Sequence, residues 1–175
     1  MHRLLTGDPV AFAVVYEAHR ARLFTFLLRL TRDEQLARDL SQETWLRFAA
    51  NVQRLDPDSE PGAWLFSVAR NLFRSQRRWT LLDRERLAEW GFRRARDVPA
   101  SPLTEATDHE LTRRMELAIT NLPLRYREVL LLVSVEGFEN AQVCTMLDLE
   151  PATVRQRLSR ARAMLRKAID CEEER

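Results

Sequence analysis

Apolar residues recur every three or four positions through most of this 175-residue chain, and no alternating run bounded by hairpin turns appears. Only four glycines are present, so the chain is predicted to be helical nearly throughout. Asp8-Pro9 opens a helix on which Phe12, Val15, Tyr16, His19, Leu23, Phe26, Leu27 and Leu30 keep helical spacing. A second helix is expected from about Asp33 to Val52, with Leu36, Leu40, Thr44, Phe48 and Val52 facing inward. Leu55 to Gly62 reads as a loop by composition, and a third helix begins near Ala63 and continues past Arg78 towards Glu89.

Between about Gly91 and Asp108 the periodicity fails. Arg93, Arg94, Arg96, Pro99, Ser101, Pro102 and Thr104 make a polar, proline-broken stretch that reads as a flexible tether. Four more helices are expected beyond it, near 109–121, 123–136, 139–147 and 151–170. The run Val129 to Val135 taken alone also fits a buried strand, but Pro123 as a start and Gly137 as a stop favour helix. The fold class expected is therefore all-α. Two small helical domains, residues 1–90 and 109–175, are joined by a flexible linker at 91–108, and the second contains a helix-turn-helix.

That helix-turn-helix spans Glu139 to Lys167. Asn140 to Leu147 gives a short helix with apolar Ala141, Val143, Cys144 and Leu147, and Asp148-Leu149-Glu150 makes a tight turn. Pro151 stands at the first position of the next helix, where its fixed φ fits and its missing N–H is no loss. Val154, Leu158, Ala161 and Leu165 form one buried face. The other carries Thr153, Arg155, Gln156, Arg157, Ser159, Arg160, Arg162, Arg166 and Lys167, with no acid among them. A helix of that width and charge fits the major groove of DNA. Pro151, Ala152, Thr153, Arg155 and Gln156 lie at the end that meets base edges. Arg157, Arg160 and Arg162 are placed for phosphates, with Ser159 on the same side. A merely solvated basic face is the competing explanation.

Lysine and arginine total 28 against 26 acids, a net charge of +2, so any charge for binding nucleic acid is local. Lys167 is the only lysine, which a GC-rich genome explains as readily as a need for guanidinium forks. Cys144 and Cys171 lie far apart and His2, His19 and His109 are scattered, so neither zinc spacing nor a disulfide framework is present. Cys144 is expected to be a buried, inert thiol. No metal or other cofactor is implied, and no glycine-rich phosphate loop or Ser/Cys–His arrangement points to an enzyme. Asp8 and Pro9 interrupt the N-terminus before any apolar run, and no segment nears the roughly 20 apolar residues that cross a bilayer. A cytoplasmic protein without direct membrane insertion is expected.

Widely separated segments share one resemblance. Asp39-Leu40-Ser41-Gln42-Glu43-Thr44-Trp45-Leu46-Arg47 looks like the signature of the second conserved region of bacterial sigma factors. Trp64-Leu65-Phe66-Ser67-Val68-Ala69-Arg70-Asn71, followed by Arg77-Arg78, resembles the promoter-melting helix of that family. Leu117 to Leu165, with Leu122-Pro123, Arg127, Gly137, Thr153-Val154 and Arg160-Ala161-Arg162, looks like its fourth region. Nothing corresponds to the first or third regions. The layout is similar to the extracytoplasmic-function (ECF) branch of the sigma-70 family, over roughly residues 9–78 and 110–168.

The resemblance implies an initiation factor that lends promoter specificity to core RNA polymerase. Asp39, Gln42, Glu43 and Leu46 share one side of their helix, away from the Leu36, Leu40 and Phe48 face. By resemblance that side docks on the clamp helices of the polymerase, and an apolar Leu46 beside carboxylates suits an anchored contact. In the third helix Arg70, Arg74 and Arg77 are read as one stripe, with Phe66 and Phe73 on another. Charge interleaved with aromatics is how proteins hold single strands, although Trp64, Phe66 and Phe73 also suit a core. By resemblance Trp64, Arg70, Asn71, Arg74, Arg77 and Arg78 grip the non-template strand at the minus-ten element, where a base leaves the stack. The recognition helix reads the minus-thirty-five element, and the helices before it touch the polymerase flap. The sequence departs from the family pattern at Ser75, often Asp, at Glu150, usually a serine-like cap, and at Asp148, often glycine.

Members of this branch are commonly held inactive by an anti-sigma factor, often anchored at the inner face of the membrane. The free chain is expected to be a monomer. Two other functions fit parts of the sequence: a stand-alone helix-turn-helix regulator that dimerises on palindromic DNA, and a sigma-like mimic that only binds an anti-sigma protein. The arginines of the third helix argue against the first, and the basic residues of the recognition helix against the second.

Overall fold

Asp8 starts the first long helix as the sequence predicts. Its carboxylate accepts the Val10 N–H at 2.8 Å, and Pro9 at the first position needs no partner. In the computed structural model this helix, α2, runs Pro9–Thr31. Arg32, at φ 58°, ends it in the left-handed region, and Asp33 caps α3 (Glu34–Asn51) through the Leu36 N–H at 3.0 Å. The backbone of residues 1–89 and 109–173 is described, with side chains over 1–79 and 112–170; among these residues there is no strand. The chain divides into two compact units, Met1–Ala100 and Ser101–Arg175. The predicted linker, 91–108, lies outside the described residues.

In the first unit α2, α3 and α4 (Pro61–Glu89) pack on one another. Leu23, Phe26 and Leu27 of α2, Phe48 of α3 and Leu65 and Phe66 of α4 are fully buried, and the Phe26 and Phe66 rings meet edge-on at 5.1 Å. Burying six such side chains supplies on the order of 10 kcal/mol of hydrophobic driving force. Leu40, Thr44, Phe48 and Val52 are buried as their spacing predicts, and Leu36 is half-buried. Tyr16 departs from expectation: it stays 39% exposed, its ring bordering an open groove between α2 and α3 and meeting Trp45 edge-on.

Two boundaries also differ from the sequence reading. The loop ends before Pro61 rather than at Gly62, since proline favours a first helical turn. Gly62 therefore lies inside α4, buried, where a Cβ would stand 2.9 Å from His19 Cε1. A single-turn helix, α1 (His2–Leu5), precedes α2; it buries Leu4 and is followed by Gly7 at φ +78°. Four residues are too few to show a period.

The second unit contains α5 (His109–Asn121), α6 (Leu124–Leu130), α7 (Asn140–Leu147) and α8 (Pro151–Glu173). The Val129–Val135 run is helical, as Pro123 and Gly137 indicate. Its last part, Leu131–Val135, widens into a π turn, with the Glu136 N–H bonding to Leu131 O at 2.8 Å. α5, α6 and α7 all pack on α8, which buries Val154, Leu158 and Ala161 and half-buries Leu165. In α7 the inward residues are Val143, Met146 and Leu147, while Ala141 is exposed and Cys144 only half-buried. Ala141 is two residues from Val143 and so points to the opposite side; the expected buried thiol is corrected accordingly. Asp148 at φ 54° makes the left-handed turn that ends α7, a conformation aspartate tolerates.

Candidate nucleic-acid and protein interfaces

Because Leu40, Thr44 and Phe48 turn α3 inward, Asp39, Gln42 and Leu46 face solvent and Glu43 is half-buried. Leu46 is 58% exposed, the bare apolar side chain that the spacing predicts. Its charged neighbours are ordered by pairs one turn apart: Gln35 donates to Asp39 at 2.9 Å, Arg38 pairs with Glu34 at 2.7 Å and Arg47 with Glu43 at 2.7 Å. Exposed pairs of this kind contribute a few tenths of a kcal/mol, so they orient side chains more than they stabilise the fold. Gln42 and Leu46 also line the groove between α2 and α3, about 800 Å³ in volume, with Phe12, Tyr16, Phe24 and Trp45 among its walls. Tyr16 and Trp45 meet edge-on at 4.8 Å. Spacing marked Tyr16 as inward, but only the packing of α2 on α3 brings Trp45 to it along a shared groove.

The stripe expected on α4 is corrected. Arg70 is 6% exposed, with Nη1 donating to Asn71 Oδ1 at 3.4 Å. It stands four residues after Phe66 and three before Phe73, both buried, so all three share the inward face. Arg77 continues that face but is exposed, as are Asn71, Arg74 and Arg78. Trp64 is half-buried against Phe48, ring centroids 5.5 Å apart, as part of the aromatic cluster that also includes Trp45. Among the described side chains of α4 the exposed arginines are thus Arg74, Arg77 and Arg78, with Arg70 inside.

On α8, Pro151, Ala152, Arg155, Gln156, Ser159, Arg160 and Arg162 are exposed, and Thr153 and Arg157 half-buried. Two arginines reach past α7 towards α6 and the π turn that follows it: Arg162 Nη2 donates to Ser134 Oγ at 3.2 Å, and the Arg160 side chain acts on the phenol of Tyr126. The Arg160 guanidinium, and then Arg125, hold that phenol below its ordinary pKa. Arg125 lies over the same ring, its Cζ 4.7 Å from the centroid. The Ser134 contact is one that spacing alone does not mark, because it depends on how the π turn after α6 meets α8. Among the described residues no group of three or more His, Cys, Asp or Glu side chains suits a metal ion, and no helix is long and apolar enough to cross a membrane.

Residues 15–80 match the sigma-70 region 2 family, and residues 112–165 match sigma-70 region 4. The ECF RNA polymerase sigma factor EcfG of Rhodopseudomonas palustris (strain TIE-1) is 33% identical over 143 residues, covering 82% of this chain and 76% of that protein. The chain belongs to the ECF sigma factors. This sigma factor is also 32% identical over 168 residues, 93% of its length, to the probable RNA polymerase sigma factor RfaY of Xanthomonas campestris pv. campestris; the chain spans only 41% of that relative's length. Its fold is similar to that of the sigma factor RpoE in complex with the anti-sigma factor NepR from Bartonella quintana. The TM-score is 0.75 at 24% identity, covering 91% of this chain and 97% of RpoE. The all-α, two-domain fold of the family, region 2 on α2–α4 and region 4 on α5–α8, is the one read from the sequence.

Proposed function

We propose that this sigma factor binds core RNA polymerase through the outer side of α3 and directs it to promoters read at two elements. Residues 1–90 serve as the region 2 domain, 109–175 as the region 4 domain, and 91–108 as the connection. Asp39, Gln42, Glu43 and Leu46 dock on the polymerase clamp helices. Asn71, Arg74, Arg77 and Arg78 hold the separated strand at the minus-ten element, with half-buried Trp64 beside them and Arg70 supporting them from the core. Pro151, Ala152, Thr153, Arg155 and Gln156 meet base edges at the minus-thirty-five element. Arg157, Ser159, Arg160 and Arg162 lie beside the phosphates, and the helices before α8 touch the flap. RNA synthesis is the polymerase's chemistry, and the sigma factor supplies address and strand separation.

The observation that carries this reading is the outer face of α8. It presents Arg155, Gln156, Arg160 and Arg162 to solvent with no acid from Pro151 to Ile169. Such a face neutralises phosphate while keeping its first turn free for bases. Two modest contacts on one chain act together through effective concentration, so neither needs to be strong alone. The anti-sigma factor bound to RpoE of Bartonella quintana supports control of this chain by a partner of that kind. When not so held, the chain works as a monomer in the bacterial cytoplasm, beside the polymerase.

Run-off transcription with purified core polymerase on a pool of genomic promoters tests the proposal. The expected outcome is a set of start sites preceded by two shared elements at constant spacing. Start sites indistinguishable from those of core polymerase alone would overturn it.

A further inference from the structure

We propose that His19 is a positioning residue for promoter opening, its imidazole seated against Gly62 so as to set the angle at which α4 leaves α2. The inference rests on α4 being the helix that holds the separated strand, and deepens that reading by naming what aims it. One turn of α2 grips one turn of α4. His19 Cε1 lies 2.9 Å from where a Cβ would stand at Gly62, and Nε2 lies 3.5 Å from it. Arg22, three residues after His19, places its Cζ 6.0 Å from the centroid of the Phe66 ring, four residues after Gly62. Steps of three and four keep each pair on one side of its helix, so the two contacts lie along a single seam.

Carbon atoms in contact stand about 3.5–4.0 Å apart, so only glycine lets the ring come this close. The ring has little freedom to move aside, being half-buried with its Nδ1 enclosed. Each partner weighs against stability. Glycine in a helix forgoes the propensity of alanine, and among the described residues no group bonds the enclosed Nδ1. Two unfavourable choices meeting at one point mark a geometry kept for something other than stability. Farther along α4 stand Asn71, Arg74, Arg77 and Arg78, all exposed. At 1.5 Å per residue Arg78 is about 24 Å along the helix from Gly62, so a small tilt at the base becomes an ångström-scale shift there. A displacement of about 1 Å harms a site that must meet its ligand in one geometry far more than it harms a fold.

The test compares two affinities for each variant: that of holoenzyme for a single-stranded non-template oligonucleotide spanning the minus-ten element of a promoter recovered by run-off transcription, and that of the chain for core polymerase. Gly62→Ala should weaken oligonucleotide binding about tenfold, and His19→Ala about threefold. In the His19→Ala background Gly62→Ala should cost nothing further, because the added methyl then meets no ring. Affinity for core polymerase should be unchanged throughout, since the side chains assigned to that contact are on α3. A Gly62→Ala penalty that persists without the ring would overturn the role, as would oligonucleotide binding that ignores both residues. A parallel loss of core-polymerase affinity would show that the seam only stabilises the fold, and would overturn it too. If wild-type holoenzyme holds the oligonucleotide no better than core polymerase alone, the reading of α4 itself fails and the role of His19 fails with it. That result is distinct from firm wild-type binding that neither substitution changes.

Discussion

Arg70 shows how far one residue's spacing can mislead. Its sequence neighbours Arg74, Arg77 and Arg78 suggest one cationic stripe, yet Phe66 and Phe73 a turn to either side carry Arg70 into the core. Arg70→Ala should therefore lower the stability of the first unit by about 1–3 kcal/mol in urea unfolding, through loss of a buried polar group. Arg74→Ala should stay within about 0.5 kcal/mol of wild type and instead reduce promoter opening, read by permanganate reactivity of unpaired thymines. His19 was legible as an inward residue, but its crowding against buried Gly62 was not, because that contact joins α2 to the start of α4. Burial first, and then the nearby Arg22 charge, push its imidazole pKa below the ordinary 6.5, with Glu60 acting in the opposite direction. The folded state thus prefers neutral His19, so this contribution is fully present above pH 6.5 and is lost as pH falls below it. The melting temperature of the first unit should fall on acidification through that range, and His19→Gln should flatten the fall.

At the scale of elements, helix faces were the most legible part. α3 and α8 turn inward the residues their periods assign, with Leu36 and Leu165 half-buried at the margins, since three- and four-residue spacing is a local property of the chain. The groove beside Leu46 and the Arg162–Ser134 hydrogen bond were hidden, because both arise where separate segments meet. If the exposed side of α3 holds the polymerase, Asp39→Ala with Glu43→Ala should weaken binding to core polymerase by about tenfold, measured by fluorescence anisotropy. The same variant should melt like wild type, because these exposed side chains make only weak pairs. If the first turns of α8 read bases, Arg155→Ala should lose about 1–3 kcal/mol of discrimination between the chosen promoter and one mutated at the minus-thirty-five element. Its affinity for core polymerase should be unchanged.

For the whole molecule, the sequence break after α4 was enough to predict two helical units, and the chain does divide into two. The residues of the break carry no periodic apolar pattern, so a local reading predicts where packing stops but not how the units meet. The proposed function requires both units to engage one promoter while the chain stays on the polymerase. Hydroxyl-radical footprinting of holoenzyme on a recovered promoter measures this directly. Two protected blocks are predicted, at the minus-ten and minus-thirty-five elements, with Arg155→Ala losing the upstream block before the downstream one. A single block, or a footprint identical with and without the sigma factor, would contradict the account.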